Sequence, residues 1–378
     1  MKTLATVLIV ASWVWPSAAP GQSEPKAEPP APVQTAPPVV SAPALAPAAP
    51  RPPLPASVRN VPYAQFRMEL PMIQRNTLEA CSGRLAGMAM HVEKNILYVA
   101  APGKNSVEVH DVANSKALQS VGDFSQPSGL LHVPSQSRLI VSNAADGRVD
   151  VFNVNEHGLL SRERSIMLVG EAGPMVFDGA SQRVWVGHGV FVSCLNPATG
   201  EREAEVQLGQ SGRVVGLVQS RGRLLAALMG AKGEVAVVDP TSRTVSARWE
   251  IEGAGGLGAI AADEANDRVF AVSRVPARLF VLDGATGATI AALDAPADPG
   301  GAWYDPTLRK VYISGGGLGG AVGVYAQEGV NRYRALEPTK TDSGSRHSLL
   351  VPEHRRLIVS CPGFDSDLGR LFIYQIGP

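Results

Sequence analysis

Residues 129–154, GLLHVPSQSRLIVSNAADGRVDVFNV, decide the fold. This stretch holds an apolar run, a polar turn, a basic residue, a second apolar run, a turn rich in Gly, Asn and Asp, and a third apolar run. The same order recurs seven times. Aligned on the residue that opens the second run, the copies begin at Asn95, Arg138, Arg183, Arg223, Arg268, Lys310 and Arg356, in steps of 43, 45, 40, 45, 42 and 46 residues. A period of about 40–45 residues with several short strands per copy is typical of a β-propeller blade.

The sequence therefore predicts an all-β, seven-bladed β-propeller with four-stranded antiparallel blades. One strand candidate, residues 63–72, precedes the first copy; Phe66, Met68 and Leu70 alternate there with polar or small residues, as in a half-buried strand. The last copy stops after its third run, at residues 371–376. We expect the N-terminal strand to pair into this last blade, which closes the ring and removes its open edge.

The chain divides into three predicted segments. Residues 1–19 have the pattern of a signal peptide, with Lys2, an apolar run over residues 4–14 that is too short to span a bilayer, and small residues at 17–19; an uncleaved anchor is the alternative. Residues 20–58 form a Pro/Ala-rich disordered linker, either a spacer or a docking segment for a partner that recognises Pro-rich chains. Residues 59–378 form the propeller. We expect a periplasmic or secreted monomer without a transmembrane segment after cleavage.

Four phrases resemble a known family: RLIVSNAADGRVDVFNV, GEVAVVDPTSRTVSARW, RLFVLDGATGATIAAL and RKVYISGGGLGG. They resemble the YVTN/YncE-like seven-bladed β-propellers of bacteria, and the resemblance covers about residues 60–378. It implies the fold and export, and it implies no reaction, because many members have none assigned. Relatives tend to place polar pairs such as Asp-His at the start of the inner strands. Here those positions read Ala86-Gly87, Gly173-Pro174 and Gly300-Gly301, which implies that any such axial site has been lost.

Motifs for catalysis and cofactors are weak. No G-x-S-x-G sequence is present, and the seven histidines make no H-x-H or H-E-x-x-H pair, so we interpret them as structural. Residues 315–320 match G-x-G-x-x-G, but a strand rather than a helix is predicted next, so this segment is interpreted as a flexible turn. Residues 365–369 have D-x-D-x-G spacing without the rest of a calcium loop and are interpreted as a solvated turn. We predict no metal and no cofactor.

Three cysteines in an exported chain leave at least one unpaired. Cys81 lies in the connection that leads into blade one, and Cys361 lies between the second and third strands of blade seven. Both kinds of loop share one face of a propeller, and ring closure makes these blades neighbours. We therefore hypothesise a Cys81–Cys361 disulfide. Cys194, within a third strand, is interpreted as an inert core thiol.

That same face is the usual binding face of propellers. Its main polar candidates for ligand binding are Arg84, Glu171, His188, Arg213, Arg274, Asp298, Arg346 and His347. Its loops also carry Lys104, Asn143, Asp146, Lys232, Asp365 and Asp367. Arginines that precede inner strands could hold an anion, because the guanidinium group forks carboxylate or phosphate. The alternative is an ordinary solvated rim in which acids compensate the bases.

Three functions are compatible with this pattern. The preferred one is a non-enzymatic binding or interaction scaffold for a protein or small-molecule ligand on one face. The second is a hydrolase or lactonase with an axial metal; four or more ionisable groups converging on the axis would favour it. The third is single-stranded DNA binding. It has little support, because the 34 basic and 34 acidic residues balance and aromatic residues make up 6% of the chain.

Overall fold

Second strands form the middle of each blade, and their side chains are buried on both faces. The computed structural model describes residues 69–377, apart from the side chains of residues 79, 80 and 364–367. In it the strand that contains Val269 and Phe270 alternates between two apolar clusters: Val269 and Ala271 face one neighbouring blade, and Phe270 and Val272 face the other. This double burial explains why the repeat contains continuous apolar runs rather than an alternating pattern.

Four strands build each of seven antiparallel blades, as predicted. The inner strands are β2 (Met88–His91), β6 (Pro127–Val133), β10 (Ala172–Asp178), β14 (Arg213–Ser220), β18 (Leu257–Asp263), β22 (Pro299–Asp305) and β27 (His347–Val351). The second strands are β3 (Ile96–Ala101), β7 (Arg138–Asn143), β11 (Arg183–His188), β15 (Arg223–Met229), β19 (Arg268–Arg274), β23 (Lys310–Gly315) and β28 (Arg356–Cys361).

The two outer layers complete the blades. The third strands are β4 (Ser106–Asp111), β8 (Arg148–Val154), β12 (Phe191–Leu195), β16 (Gly233–Asp239), β20 (Ala277–Asp283), β24 (Ala321–Gly329) and β29 (Gly363–Gln375). The outermost strands are β5 (Lys116–Val121), β9 (Leu160–Met167), β13 (Arg202–Gln207), β17 (Thr244–Ile251), β21 (Thr289–Asp294), the pair β25 (Arg332–Ala335) and β26 (Thr339–Lys340), and β1 (Met72–Gly83). Three single-turn 3-10 helices, Val92–Lys94, Pro134–Gln136 and Pro352–His354, follow inner strands.

The ring closes through the N-terminal strand. β1 is the outermost strand of blade seven and pairs antiparallel with β29, in the sheet order β1-β29-β28-β27. Closure itself is therefore confirmed. The closing strand is β1, which begins at Met72, the last residue of the predicted segment 63–72; residues 69–71 are not in a strand, and residues 63–68 lie outside the described part of the chain. The buried positions of β1 include the polar Asn76, which accepts hydrogen bonds from Gln74 and Ser115, so the strand lacks a simple apolar alternation.

Seven apolar clusters lie between the blades, one at each interface. The cluster that joins blade seven to blade one contains Cys81, Leu97, Val99, Ile358 and Ile373. Since this interface has its own cluster like the other six, the apolar core is continuous around the ring. The predicted signal peptide and linker, residues 1–58, lie outside the described residues. Within residues 69–377 no helix is long and apolar enough to cross a membrane.

The two faces of the ring differ in their loops. Loops between blades and loops between second and third strands emerge on one face, which we call the mouth face. Turns between first and second strands, and between third and fourth strands, emerge on the opposite face. The segment 315–320 forms the turn between β23 and β24, so the predicted turn is present, but hydrogen bonds from Gly317 and Gly319 to neighbouring loops hold it in place. Residues 365–369, predicted to be a turn, instead lie within β29, whose N-terminal half extends past β28 to pair with the end of β1.

Candidate functional site

An axial cavity of about 490 Å³ lies where the seven inner strands converge. Every blade contributes to its wall. Small residues dominate that wall, among them Gly87, Gly129, Gly173, Gly258 and Gly301. Apolar side chains such as Met88, Leu217 and Trp303 supply most of the remaining wall, and the charged lining residues lie at its mouth.

Close contact between neighbouring inner strands explains the glycines. A Cβ atom added to Gly258 would lie 2.5 Å from the carbonyl oxygen of Pro299, and one added to Gly129 would lie 2.5 Å from that of Gly173. Both distances are far below a van der Waals contact, so the backbone would have to move. At Gly173 the nearest atom would be 3.6 Å away. Most of these axial positions thus have no room for a polar side chain.

Three arginines and two carboxylates form the charged rim of the cavity. Arg213 Nη1 lies 2.8 Å from Glu171 Oε2. Asp298 is shared: its Oδ1 lies 2.9 Å from Arg274 Nη1 and 3.3 Å from Arg346 Nη2. The pairs are part-exposed, so they contribute little to stability. Because two arginines share one carboxylate, the rim carries a local excess of one positive charge beside blades five to seven.

The shared carboxylate leaves donors unused. Within the described part of the chain, the Nε atoms of Arg274 and Arg346 are buried and have no hydrogen-bond partner. A buried donor without a partner carries a desolvation cost of roughly 1–3 kcal/mol. The Nε atoms themselves are closed to solvent, but the side chains of Arg274 and Arg346 are 25% and 32% exposed. A ligand at the mouth therefore meets the accessible N–H groups of two guanidinium groups, and an anion is the acceptor that arginine binds best.

His347 lines the same side of the cavity. Desolvation, reinforced by the positive charge of Arg274, lowers its pKa to about 4. The imidazole is therefore neutral at pH 7 and adds hydrogen-bonding capacity rather than charge. Of the eight predicted ligand-face residues, the structure places Glu171, Arg213, Arg274, Arg346 and His347 at the cavity, with Asp298 directly beside them.

Two predicted residues lie elsewhere. Arg84 is exposed and only reaches Gln126 Oε1, at 3.5 Å. His188 is fully buried inside blade three, with Nδ1 2.8 Å from the carbonyl oxygen of Val169 and Nε2 2.8 Å from Ser193 Oγ. Its place among ligand-facing residues is corrected: burial lowers its pKa, and the neutral ring fastens a loop to its blade.

The remaining loop candidates form local contacts. Lys104 pairs with Glu108, Asp146 with Arg148 and Lys232 with Glu250, while Asn143 donates to Asp150. The side chains of Asp365 and Asp367 lie outside the described residues. These contacts fit a compensated rim. Arg148 and Arg370 also have a buried Nε without a hydrogen-bond partner in the described part of the chain, so Arg274 and Arg346 are distinguished by their shared carboxylate and by their position at the cavity.

Sequence reasoning missed the aromatic part of the cavity wall. Trp303 and Tyr304 follow Gly301 in β22 and line the cavity. Trp303 Nε1 donates to the carbonyl oxygen of Ser348 at 3.0 Å, which fixes the indole against blade seven. The signal was the position of an aromatic pair within an inner strand, directly after the axial glycines.

A second, smaller cavity of about 280 Å³ lies between blades three and four, towards the opposite face. Asp178, Arg183, Glu203 and Arg243 line it with Trp185 and Cys194. Its charged groups are already engaged: Arg183 bonds Glu203, and Asp178 accepts from Ser181. This cavity therefore offers a ligand fewer free groups than the axial one.

All three cysteines are free and buried. Cys81 belongs to the cluster between blades seven and one, whereas Cys361 belongs to the cluster between blades six and seven, where Ser345 Oγ donates to its Sγ. The two thiols thus face opposite sides of blade seven, and a bond between them would require the backbone to move. The Cys81–Cys361 disulfide is not formed in the structure and stays a prediction. Burial raises the pKa of each thiol to about 11.

Ionisable groups do converge on the axis, as the hydrolase alternative requires. Their kind does not suit a metal, because both carboxylates are engaged by arginine. Across residues 69–377 no group of three or more His, Cys, Asp or Glu is placed to hold a metal ion.

Comparisons with known proteins show the fold. No protein-family model and no curated protein matches the chain. A chain in the solved structure titled "Crystal Structure of Mitotic Checkpoint Complex" is similar, with a TM-score of 0.67 and 14% sequence identity, over 90% of this chain and 99% of that one. At this identity the likeness extends to the β-propeller architecture alone.

Proposed function

We propose that this chain is an exported YVTN/YncE-like β-propeller that acts as a non-enzymatic binding scaffold and takes an anionic group of its ligand or partner at the axial mouth. The observation that carries the proposal is the shared Asp298, which leaves Arg274 and Arg346 with buried Nε donors and no partner. The glycine-lined cavity behind them adds space but no reactive group. Export is supported by the signal-like pattern of residues 1–19, and residues 20–58 would serve as a tether.

Calorimetric titration at low salt tests the proposal, with citrate and inorganic phosphate as separate probes of carboxylate and phosphate. The double substitution Arg274→Gln and Arg346→Gln should weaken the binding of both anions by at least tenfold, because it removes both guanidinium groups. Arg248→Gln is the control. Arg248 lies on β17, the outermost strand of blade four, and pairs there with Glu234 of β16, away from the axial cavity. Absence of saturable binding by either anion, or an equal loss in the control, would refute the proposal.

The hydrolase alternative draws on the same cluster of ionisable groups, and single-stranded DNA binding draws on the same arginines. Elemental analysis of protein purified from its own host tests the first: a stoichiometric metal would favour it. Retention on a single-stranded DNA column tests the second, and it must fall as salt rises if phosphates are bound. We rank both below the scaffold, because the described residues hold no group of metal ligands and because the basic and acidic residues of the chain balance at 34 each.

A further inference from the structure

The mouth face presents apolar side chains to solvent. The most exposed large apolar residues are Val169, Val275 and Leu318, with exposed fractions of 70%, 73% and 105%. Val169 lies in a loop between blades, and the other two lie in loops between second and third strands, so all three project from the mouth face. Single exposed apolar residues are ordinary on proteins, but several around one cavity mark an interaction surface.

Leu318 stands at the tip of a loop that is held from both sides. Gly317 N donates to the carbonyl oxygen of Ala297, and Gly319 N donates to Ser343 Oγ, each at 3.0 Å. Gly320 has a positive φ, and a Cβ there would collide with the carbonyl oxygen of Asp342. The backbone is thus fixed, while the leucine side chain between these anchors is fully exposed. Because the backbone of this loop is already ordered, only the leucine side chain would lose conformational freedom when a partner covers it.

The apolar tips adjoin the arginines with free donors. Val275 directly follows Arg274. The leucine loop rests on Arg346, since a Cβ added to Gly316 would lie 3.1 Å from Arg346 Cβ. Two apolar contacts therefore flank a positive centre whose single carboxylate, Asp298, already serves both arginines. We call Arg274, Val275, Asp298, Leu318 and Arg346 the docking surface.

We propose that the docking surface binds an extended segment of a partner protein in which a carboxylate side chain stands between apolar side chains. The carboxylate accepts hydrogen bonds from Arg274 and Arg346, and the flanking apolar side chains cover Val275 and Leu318. This inference rests on the proposed function, because it names the chemistry of the partner for the same site. Charge complementarity argues for an acidic segment, and the apolar tips argue against a free small anion as the whole ligand.

Fluorescence anisotropy with the full chain tests it. The probe is a fluorescein-labelled peptide, Ala-Leu-Asp-Leu-Ala with blocked ends, and the matched peptide carries Asn in place of Asp. We expect saturable binding of the Asp peptide and at least tenfold weaker binding of the Asn peptide. The double substitution Val275→Ser and Leu318→Ser should weaken the Asp peptide about tenfold and leave citrate binding unchanged. The control is Val330→Ser, which changes an exposed valine in the β24–β25 turn on the opposite face.

The outcomes separate this inference from the proposed function. If citrate binds through the arginines but Val275→Ser with Leu318→Ser leaves peptide binding unchanged, the anion site stands and the docking surface is refuted. If neither citrate nor peptide binds, both fail. If the chain self-associates in light scattering and the same double substitution abolishes the dimer, the occupant is a second copy, and the acidic-segment proposal is overturned.

Discussion

The two ends of the ring use basic residues differently. On the opposite face, the residue that opens the second strand is paired with a carboxylate in five of the seven blades: Arg138–Glu163, Arg183–Glu203, Arg223–Asp267, Arg268–Asp283 and Lys310–Glu69. Two of these carboxylates also contact a second arginine, Glu163 with Arg164 and Asp267 with Arg221. At the mouth, Arg274 and Arg346 share Asp298 and keep donors free. The pairs of the opposite face recur from blade to blade, which indicates a structural role. The Arg274–Asp298–Arg346 cluster at the mouth occurs once among the described residues of the ring, and this departure from the repeat distinguishes the mouth.

The largest expected effect concerns how the mouth is built. Gly258→Ala should destabilise the protein by about 3 kcal/mol, because its Cβ would meet the carbonyl oxygen of Pro299 at 2.5 Å. Gly173→Ala is the matched control, with 3.6 Å to its nearest neighbour, and should cost less than about 1 kcal/mol. Urea denaturation of both variants measures the difference. Equal losses of stability in the two variants would mean that the close approach of neighbouring inner strands is not the reason for glycine at these positions.

A second prediction concerns His132, near the opposite end. Burial and the neighbouring ring of His91, 4.8 Å away, lower the pKa of His132 to about 4, while the carbonyl oxygen of Met90 lies 3.2 Å from its Nδ1 and the ring of Tyr98 lies nearby. Between about pH 6.5 and 4 the unfolded chain binds the proton and the folded chain does not. Stability therefore falls as pH drops through this window, by about 2 kcal/mol from this group between pH 7 and 4.5.

Denaturation curves of wild type and His132→Gln at several pH values measure that dependence. The variant should show a shallower loss of stability towards acid pH. His157→Gln is the control, since His157 is exposed. A variant with the wild-type slope would show that His132 does not contribute to acid sensitivity.

The comparison of the two ends is tested most directly by a pair of arginines. Arg183→Gln removes a one-to-one pair with Glu203 and should cost about 0.5–1 kcal/mol of stability, without any change in citrate affinity. Arg346→Gln should do the reverse: stability stays within about 0.5 kcal/mol, and citrate affinity falls several-fold. Thermal denaturation measures the stability of each variant, and calorimetry measures its affinity for citrate. Equal losses of stability and equal citrate affinities in the two variants would contradict the difference between the two ends.

The smallest expected effect is a change in the pKa of one histidine, His347. Arg274 helps to lower the pKa of His347, so Arg274→Gln should raise that pKa while His132 titrates as before. Bound citrate should act in the same direction, because an anion near Arg274 offsets its charge. Two-dimensional NMR of the histidine rings tracks both titrations. A shift in the pKa of His132 together with that of His347 would indicate a general change in structure.

Regular features of the fold could be predicted from the sequence. The repeat places the inner strand of blade one at Met88–His91, where the structure has it, and Leu224–Met229, a run that could pass for helix, lies in β15. Each repeat buries the same pattern between the same neighbours, so one clear copy defines the rest. The closing strand was misplaced because its buried face includes Asn76, whose polarity hides the alternation.

The site was only partly predictable. Loop position placed Arg213, Arg274, Arg346 and His347 at the mouth, where the structure has them, whereas Arg84 lies outside the cavity. The sharing of Asp298 by arginines from two other loops depends on distances across the mouth, which no local pattern contains. His188 was misplaced for the same kind of reason: its partners, the Val169 carbonyl and Ser193, come from a preceding connection and the next strand.

The way β1 completes blade seven also bears on the order of assembly. Met72 pairs with Tyr374, 302 residues later, so β1 has to wait for β29 before it can pair. A chain emerging from a ribosome or a translocation channel can form blades one to six by local hairpins, but the ring stays open until its C-terminal strand is released. Contacts of such high sequence separation slow folding, and an unpaired edge invites association meanwhile. Closure therefore has to wait until β29 has been synthesised and released, and a variant truncated after residue 363 should remain an open, aggregation-prone arc.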